Sequence, residues 1–156
     1  MSRDRARERV TARLSRSLER LDAPIDMAAA VARKLERFRG DFQSDPSLPI
    51  KDTLRPAAVL VPLVDRNEGM SVLLTLRDSK LPHHAGQISF PGGRIEAHDA
   101  TAAETALRET EEEIGLPRAQ VELIGRLDDY ITGTGFLVAP IVGLVRPPYE
   151  LTPDPS

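Results

Sequence analysis

The sequence predicts an α/β fold built on a mixed sheet, from three observations. Runs rich in Val, Leu and Ile at 56–64, 70–77 and 136–145 have the composition and length of strands. A run rich in Ala, Leu and Glu at 100–114 contains no Gly or Pro and has the composition and length of a helix. Gly and Pro cluster between these runs, where turns belong. The chain of 156 residues is 40% hydrophobic and 29% charged. That is enough apolar material for one core, and it excludes a fibrous or wholly disordered chain.

The elements follow in chain order. Residues 1–40 carry 11 Lys/Arg against 6 Asp/Glu, a net +5, so within a whole-chain charge of −3 the remainder carries −8. In the basic segment Val10, Leu14, Leu18 and Leu21 recur near helical spacing, and Ile25, Val31, Leu35 and Phe38 do so after Pro24. Two amphipathic helices are predicted. Acidic residues Asp4, Glu8, Glu19 and Glu36 interrupt the arginines, which favours a solvated helix face packing on the core or on a second copy over a nucleic-acid arm or a targeting peptide. A loop with Pro46 and Pro49 covers 40–55. The strands at 56–64 and 70–77 are joined by Asp65-Arg66-Asn67-Glu68-Gly69 and read as a hairpin. A polar stretch, 78–86, precedes a short strand at 87–90, in which Phe90 reads as core, and then Pro91-Gly92-Gly93. After the helix, ended by Gly115, come strands at 120–124 and 136–145 and a proline-punctuated tail.

Some function classes drop out. The longest apolar runs, 57–64 and 136–145, fall well short of the roughly 20 residues of a spanning helix, so no membrane span is expected. The N-terminus lacks the apolar stretch of a secretory signal. With no cysteine, the chain has no disulfide, thiolate zinc site or cysteine nucleophile, which suits a cytoplasmic setting. Any metal must be held by oxygen or imidazole.

The helix at 100–114 carries the chemistry. At about 100° per residue, Glu109, Glu112 and Glu113 share an arc of roughly 100° while Glu111 points away. Ala103, Leu107, Thr110 and Ile114 form the stripe that faces the core. Glutamates three or four apart destabilise a helix by about 0.2–0.5 kcal/mol per pair. Arg108, four before Glu112, offsets part of this, and a hard divalent cation would offset more, since Mg²⁺ and Mn²⁺ prefer carboxylate oxygen. Carboxylates alone describe a solvated helix face. The approach to the helix changes the reading, because Gly92-Gly93 lets backbone come close to a ligand.

Gly92-Gly93, Glu96, Asp99, Arg108-Glu109, Glu112-Glu113 and Gly115-Leu116 in one strand-loop-helix unit resemble the signature box of the Nudix hydrolases. One residue more than the general spacing separates Gly93 from Arg108, Asp99 stands for the first Glu of the box, and Thr110 occupies a bulky aliphatic position. These features resemble the coenzyme A pyrophosphatase subfamily. So do Leu73-Leu74-Thr75-Leu76-Arg77, His84 and Gly86-Gln87-Ile88-Ser89-Phe90-Pro91-Gly92-Gly93, with Asp78 and Pro82 standing where the subfamily has Ser or Ala and Arg. The likeness runs from about 57 to 145.

The resemblance implies a Nudix-type α/β/α sandwich with mixed sheet, preceded by a helical extension at 1–40 and a loop at 41–55, with the hydrolase domain at 56–156. It implies Gly93, Glu109, Glu112 and Glu113 as ligands of Mg²⁺ or Mn²⁺, Arg108 as the residue that orients the glutamates, and Glu112 nearest the attacking water. Arg77, Arg94, His84 and Gln87 are the implied substrate contacts. The implied reaction cleaves coenzyme A or an acyl derivative to 4'-phosphopantetheine and adenosine 3',5'-bisphosphate. Pro82, in place of an arginine, keeps ADP-ribose, dinucleotides and nucleoside triphosphates open as substrates, and a non-catalytic ligand-binding domain is the further alternative. A homodimer through the basic helices is a possible partner arrangement, and nucleic acid is not expected as a partner. Related chains continue past the point where this one stops at Ser156, which suggests a shortened chain or an end supplied by a partner.

Overall fold

One long strand organises the sheet. In the computed structural model, which describes residues 3–25, 39–40, 54–76 and 87–146, β2 (Arg55–Arg66) pairs in parallel with β9 (Phe136–Val145) over ten residues, from Arg55 opposite Phe136 to Val64 opposite Val145. Both strands are buried on both faces along most of their length, which is why each reads as a nearly unbroken apolar run. The other edge of β2 is shared: β6 (Gly92–Arg94) pairs with Ala57 to Val59, and β3 (Gly69–Val72) pairs with Leu63 to Arg66, both antiparallel. Pro62, which donates no backbone hydrogen bond, falls between these two stretches.

β9 carries the remaining strands. β7 (Val121–Arg126) pairs with it antiparallel, with an irregularity between Leu123 and Gly125. β8 (Tyr130–Ile131) also pairs with it and holds β1 (Arg39–Gly40) in parallel. A separate two-stranded sheet joins β4 (Thr75–Leu76) to β5 (Ile88–Ser89).

The two faces of the sheet bury different helices. Ala58 and Leu60 of β2 and Ala139 and Ile141 of β9 pack with Ala102, Ala103 and Ala106 of α2 (Ala102–Ile114). Val61, Val142, Leu144 and Ile124 point the other way and take Val10 and Leu14 of α1 (Arg3–Leu14). Alternation along β2 and β9 thus produces the layered α/β fold expected from the sequence. After α1 the chain tightens into a 3₁₀ helix, Ser15–Arg20. The second predicted helix, 25–38, lies almost wholly outside the described residues.

Polar contacts fasten this extension to β7. Ser17 Oγ donates to the Leu14 carbonyl (2.6 Å) and accepts from the Arg126 amide (2.9 Å). The buried Arg126 guanidinium donates to the Arg20 and Ala23 carbonyls and pairs with Asp129 at 2.8 Å. Gly125 is required where the extension crosses: a Cβ there would sit 2.5 Å from Ser17 Oγ and 2.7 Å from Leu14 Cβ.

Several expectations need correction. The hairpin turn is Asn67-Glu68, not five residues, because Asp65 and Arg66 stay in β2 opposite Met70 and Gly69, whose φ of 135° suits glycine. The predicted strand at 70–77 breaks at Leu73-Leu74, where β3 leaves the main sheet and β4 joins the small one. The short strand expected at 87–90 is Ile88–Ser89, and Gly92-Gly93 begins a strand of its own paired with β2. Leu107 is half-buried, and Ala102, Ala106 and Thr105 complete the helix face instead.

Replacing Gly125 by Ala is expected to lower stability by roughly 1–3 kcal/mol through overpacking against the extension. Urea unfolding followed by circular dichroism checks this, and an unchanged midpoint would count against the extension as an integral part of the core.

Candidate active site

The site forms where β6 hands the chain to α2. Thr101 caps the helix in an extended conformation, its hydroxyl accepting from the Glu104 amide at 3.2 Å. Gly115 closes it in the left-handed region at φ 70°, its amide donating to the Glu111 carbonyl. Thr110, the unusual polar residue on the buried face, returns its hydroxyl to the Ala106 carbonyl at 2.6 Å, so no polar atom is stranded.

Asp99 is the hub before the helix. Its side chain is 3% exposed and accepts from the Glu96 amide (2.9 Å), the Thr105 hydroxyl (2.8 Å) and, through both oxygens, Nε and Nη2 of Arg108 (2.9 Å each). This fork holds the Asp99 carboxyl well below the usual carboxylate range against the opposing effect of burial, and it raises the Arg108 guanidinium correspondingly. His98 lies 3.6 Å from Asp99 but is mostly exposed.

With two nitrogens committed to Asp99, Arg108 turns the third towards the glutamates. Nη1 donates to Glu109 at 2.9 Å and to Glu112 at 3.4–3.5 Å. Nη2 also reaches the Arg94 carbonyl at 3.4 Å. Glu113 accepts from the Gly92 amide at 3.1 Å. A Cβ on Gly93 would lie 2.6–2.9 Å from the Glu109 carboxylate, so only glycine leaves room for it. Glu109, Glu113, Gly92 and Gly93 are therefore brought together, with Glu112 reached through Arg108. Glu111 points elsewhere, as the helical arc predicts, and joins Glu104 in ion pairs to Arg118.

The donor set is all oxygen, which suits a hard divalent cation. Among the described residues no three acidic or imidazole groups are already gathered around one point. Glu109 and Glu112 are turned to Arg108, and Glu113 to a backbone amide.

Other implied contacts fall differently. Gln87 is exposed and immediately precedes β5. Arg94 is exposed, and its guanidinium lies over the Phe136 ring, 5.6 Å from the centroid. Arg77 and His84, with His83, lie outside the described residues. Phe90, read as core, is 38% exposed and lines a cavity of about 730 Å³ together with Val59, Val61, Tyr130, Val138 and Pro140. Sequence reasoning passed over Asp99 as a structural anchor. The available signal was an acid two residues before a Thr cap, with Thr105 one turn beyond.

The family model described as the NUDIX domain matches residues 53–147. The protein named "Uncharacterized Nudix hydrolase NudL" of Escherichia coli strain K12 is 46% identical over 124 residues, covering 77% of this chain and 64% of that protein. Its namesake in Yersinia enterocolitica is 44% identical over 115 residues, covering 72% and 58%. The chain thus spans under two thirds of the length of these relatives. Among solved structures, RenU, a Nudix hydrolase from M. smegmatis, superposes with a TM-score of 0.55 at 24% identity over 64% of each chain. A C. elegans Ap4A hydrolase complex gives 0.50 at 24% identity over 63% of this chain and 71% of that one. At such identity these structures support the fold alone.

Because the folded Asp99 value is depressed, the stability it contributes is fully present above its unfolded value near about 4 and is lost as pH falls through the folded value. Urea midpoints should therefore drop steeply below about pH 4 in the native protein. Asp99→Asn, which strands the Arg108 fork, should cost on the order of 3 kcal/mol at neutral pH and flatten that acid dependence. Equal acid profiles in the two proteins would count against the pair.

Proposed function

This chain belongs to the Nudix family, and we propose that it is a divalent-metal-dependent hydrolase that cleaves the diphosphate of coenzyme A or an acyl derivative. The observation that carries the hydrolase reading is the set of three glutamates on one helix beside β6: Glu109 against Gly93, Glu113 bonded to the Gly92 amide, and Glu112 held beside Glu109 through Arg108. A domain used only to bind ligand has no need for three mutually repelling carboxylates on one helix. Residues 56–156 are read as the catalytic unit and 1–40 as a helical extension. A cytoplasmic location suits a chain without cysteine, and no helix among the described residues is long and apolar enough to cross a membrane.

Glu109, Glu112 and Glu113, with the Gly93 carbonyl, are the groups that would hold Mg²⁺ or Mn²⁺. Such an ion, when bound, neutralises charge on the phosphoryl oxygens and lowers the pKa of a water. The chain supplies the rest. Arg108, anchored by Asp99, offsets the mutual repulsion of Glu109 and Glu112. Glu112, the most exposed of the arginine's partners, is free to rotate towards an attacking water and accept its proton. Gly92 and Gly93 let β6 lie close against β2 and against the Glu109 carboxylate, which keeps the Gly93 backbone beside that glutamate. The cavity beside Phe90 has the size and apolar lining to take a nucleoside or the pantetheine arm.

The coenzyme A choice rests on the likeness of 73–77 and 84–93 to that subfamily. ADP-ribose, dinucleotides and nucleoside triphosphates form the second reading, favoured by Pro82 in place of an arginine.

Incubating the protein with Mg²⁺ and coenzyme A, ADP-ribose, NADH or nucleoside triphosphates, with products resolved by chromatography, should show 4'-phosphopantetheine and adenosine 3',5'-bisphosphate from coenzyme A. Survival of coenzyme A while another compound is cut would sink the substrate assignment. Glu113→Gln should reduce kcat by at least about 100-fold with the fold retained, and near-normal turnover would refute the ligand set.

A further inference from the structure

The strand register separates two faces at β6. Gly93, opposite Ala58, lies against Glu109 on the face covered by α2. Arg94, opposite Ala57, lies one residue on, and its side chain projects to the other face. There Arg55, opposite Phe136 in the β2–β9 pairing, joins it: the two guanidiniums lie over the same phenyl ring, 4.6 Å (Arg55) and 5.6 Å (Arg94) from its centroid. Further along the same face, Val59 and Val61 of β2 and Val138 and Pro140 of β9 floor the apolar cavity. A cationic pair on an aromatic ring and an apolar hollow are thus neighbours along two paired strands, just across the sheet from the glutamates.

Stacking occupies the flat face of a guanidinium and leaves its in-plane N–H donors available. Among the described residues neither arginine has a carboxylate partner, although the protein outside the first 40 residues is strongly acidic. Two like charges beside one ring repel each other, and a dianion accepting from these forks would offset that cost. A phosphate monoester is close to dianionic at neutral pH, whereas each phosphate of a diphosphate link substituted at both ends carries a single charge.

We propose that Arg55, Phe136 and Arg94 form a recognition site for a phosphate monoester that the substrate carries outside its scissile diphosphate. The site selects nucleoside diphosphate derivatives bearing such an extra phosphate. This rests on the reading of the protein as a hydrolase of coenzyme A, in which the ribose 3'-phosphate is that group. Arg55 and Arg94 act here in specificity and touch no reacting atom.

Calorimetric binding of adenosine 3',5'-bisphosphate and of AMP to the full chain with Mg²⁺ tests this without turnover. The native protein should prefer the bisphosphate by about tenfold or more, and Arg55→Gln and Arg94→Gln should each remove most of that preference with matching thermal melts. No preference in the native protein, or an undiminished preference in the variants, overturns the site. If Arg55→Gln fails to fold, Arg55→Lys is read in its place: it keeps the charge but loses the fork and the stacking, and an undiminished preference there is equally fatal. Preference without coenzyme A cleavage would uphold this site and refute the substrate reading; cleavage without preference would do the reverse.

Discussion

The Asp99–Arg108 pair is the constraint on which the site depends. Without it, three glutamates within two turns of one helix would repel each other and the loop from β6 would have no fixed length of reach. Asp99 uses four hydrogen bonds to close its own turn at Glu96 and to tie it to the helix at two residues, Thr105 and Arg108. Because the fork spends Nε and Nη2 on Asp99, only Nη1 is left for Glu109 and Glu112. That leaves their charge partly unmet, which is the condition a cation-binding site needs.

The sheet divides labour between its faces. Alternation along β2 and β9 sends Ala58, Leu60, Ala139 and Ile141 to α2 and Val61, Val142 and Leu144 to α1. The same alternation at β6 places Gly93 against the glutamates and Arg94 beyond the sheet. The extension is joined to this framework through Gly125, Ser17 and Arg126, so the basic segment shares the core of the acidic part of the chain.

Much of this was legible in the sequence, and the failures have physical causes. The helix was expected over 100–114 and runs Ala102–Ile114, since Thr101 and Gly115 act as local caps. The strand at 136–145 was read with its full bounds, because a strand buried on both faces is apolar throughout. The grouping of Glu109, Glu112 and Glu113 apart from Glu111 follows from helical geometry and is what the structure has. Illegible were features set by distant partners. Gly92-Gly93 resembles a turn by composition but is strand because β2 lies beside it. Phe90 resembles core but borders a cavity. The ring shared by Arg55 and Arg94 arises from a parallel pairing between residues 55 and 136, which no local pattern signals. Arg77 and His84 lie outside the described residues.

On the proposed metal-dependent reading, the anchored arginine leaves Glu109 and Glu112 with charge to offer a divalent cation. Titration of the full chain with Mn²⁺, followed by electron paramagnetic resonance of the free ion, tests it most directly when the native protein is compared with Asp99→Asn at neutral pH, both shown to be folded. Loss of the anchor hands the whole charge of Arg108 to Glu109 and Glu112 in competition with the ion, so Mn²⁺ affinity should fall by about 10–100-fold. Equal Mn²⁺ affinity in the two proteins, or no Mn²⁺ binding by the native chain, would contradict the account.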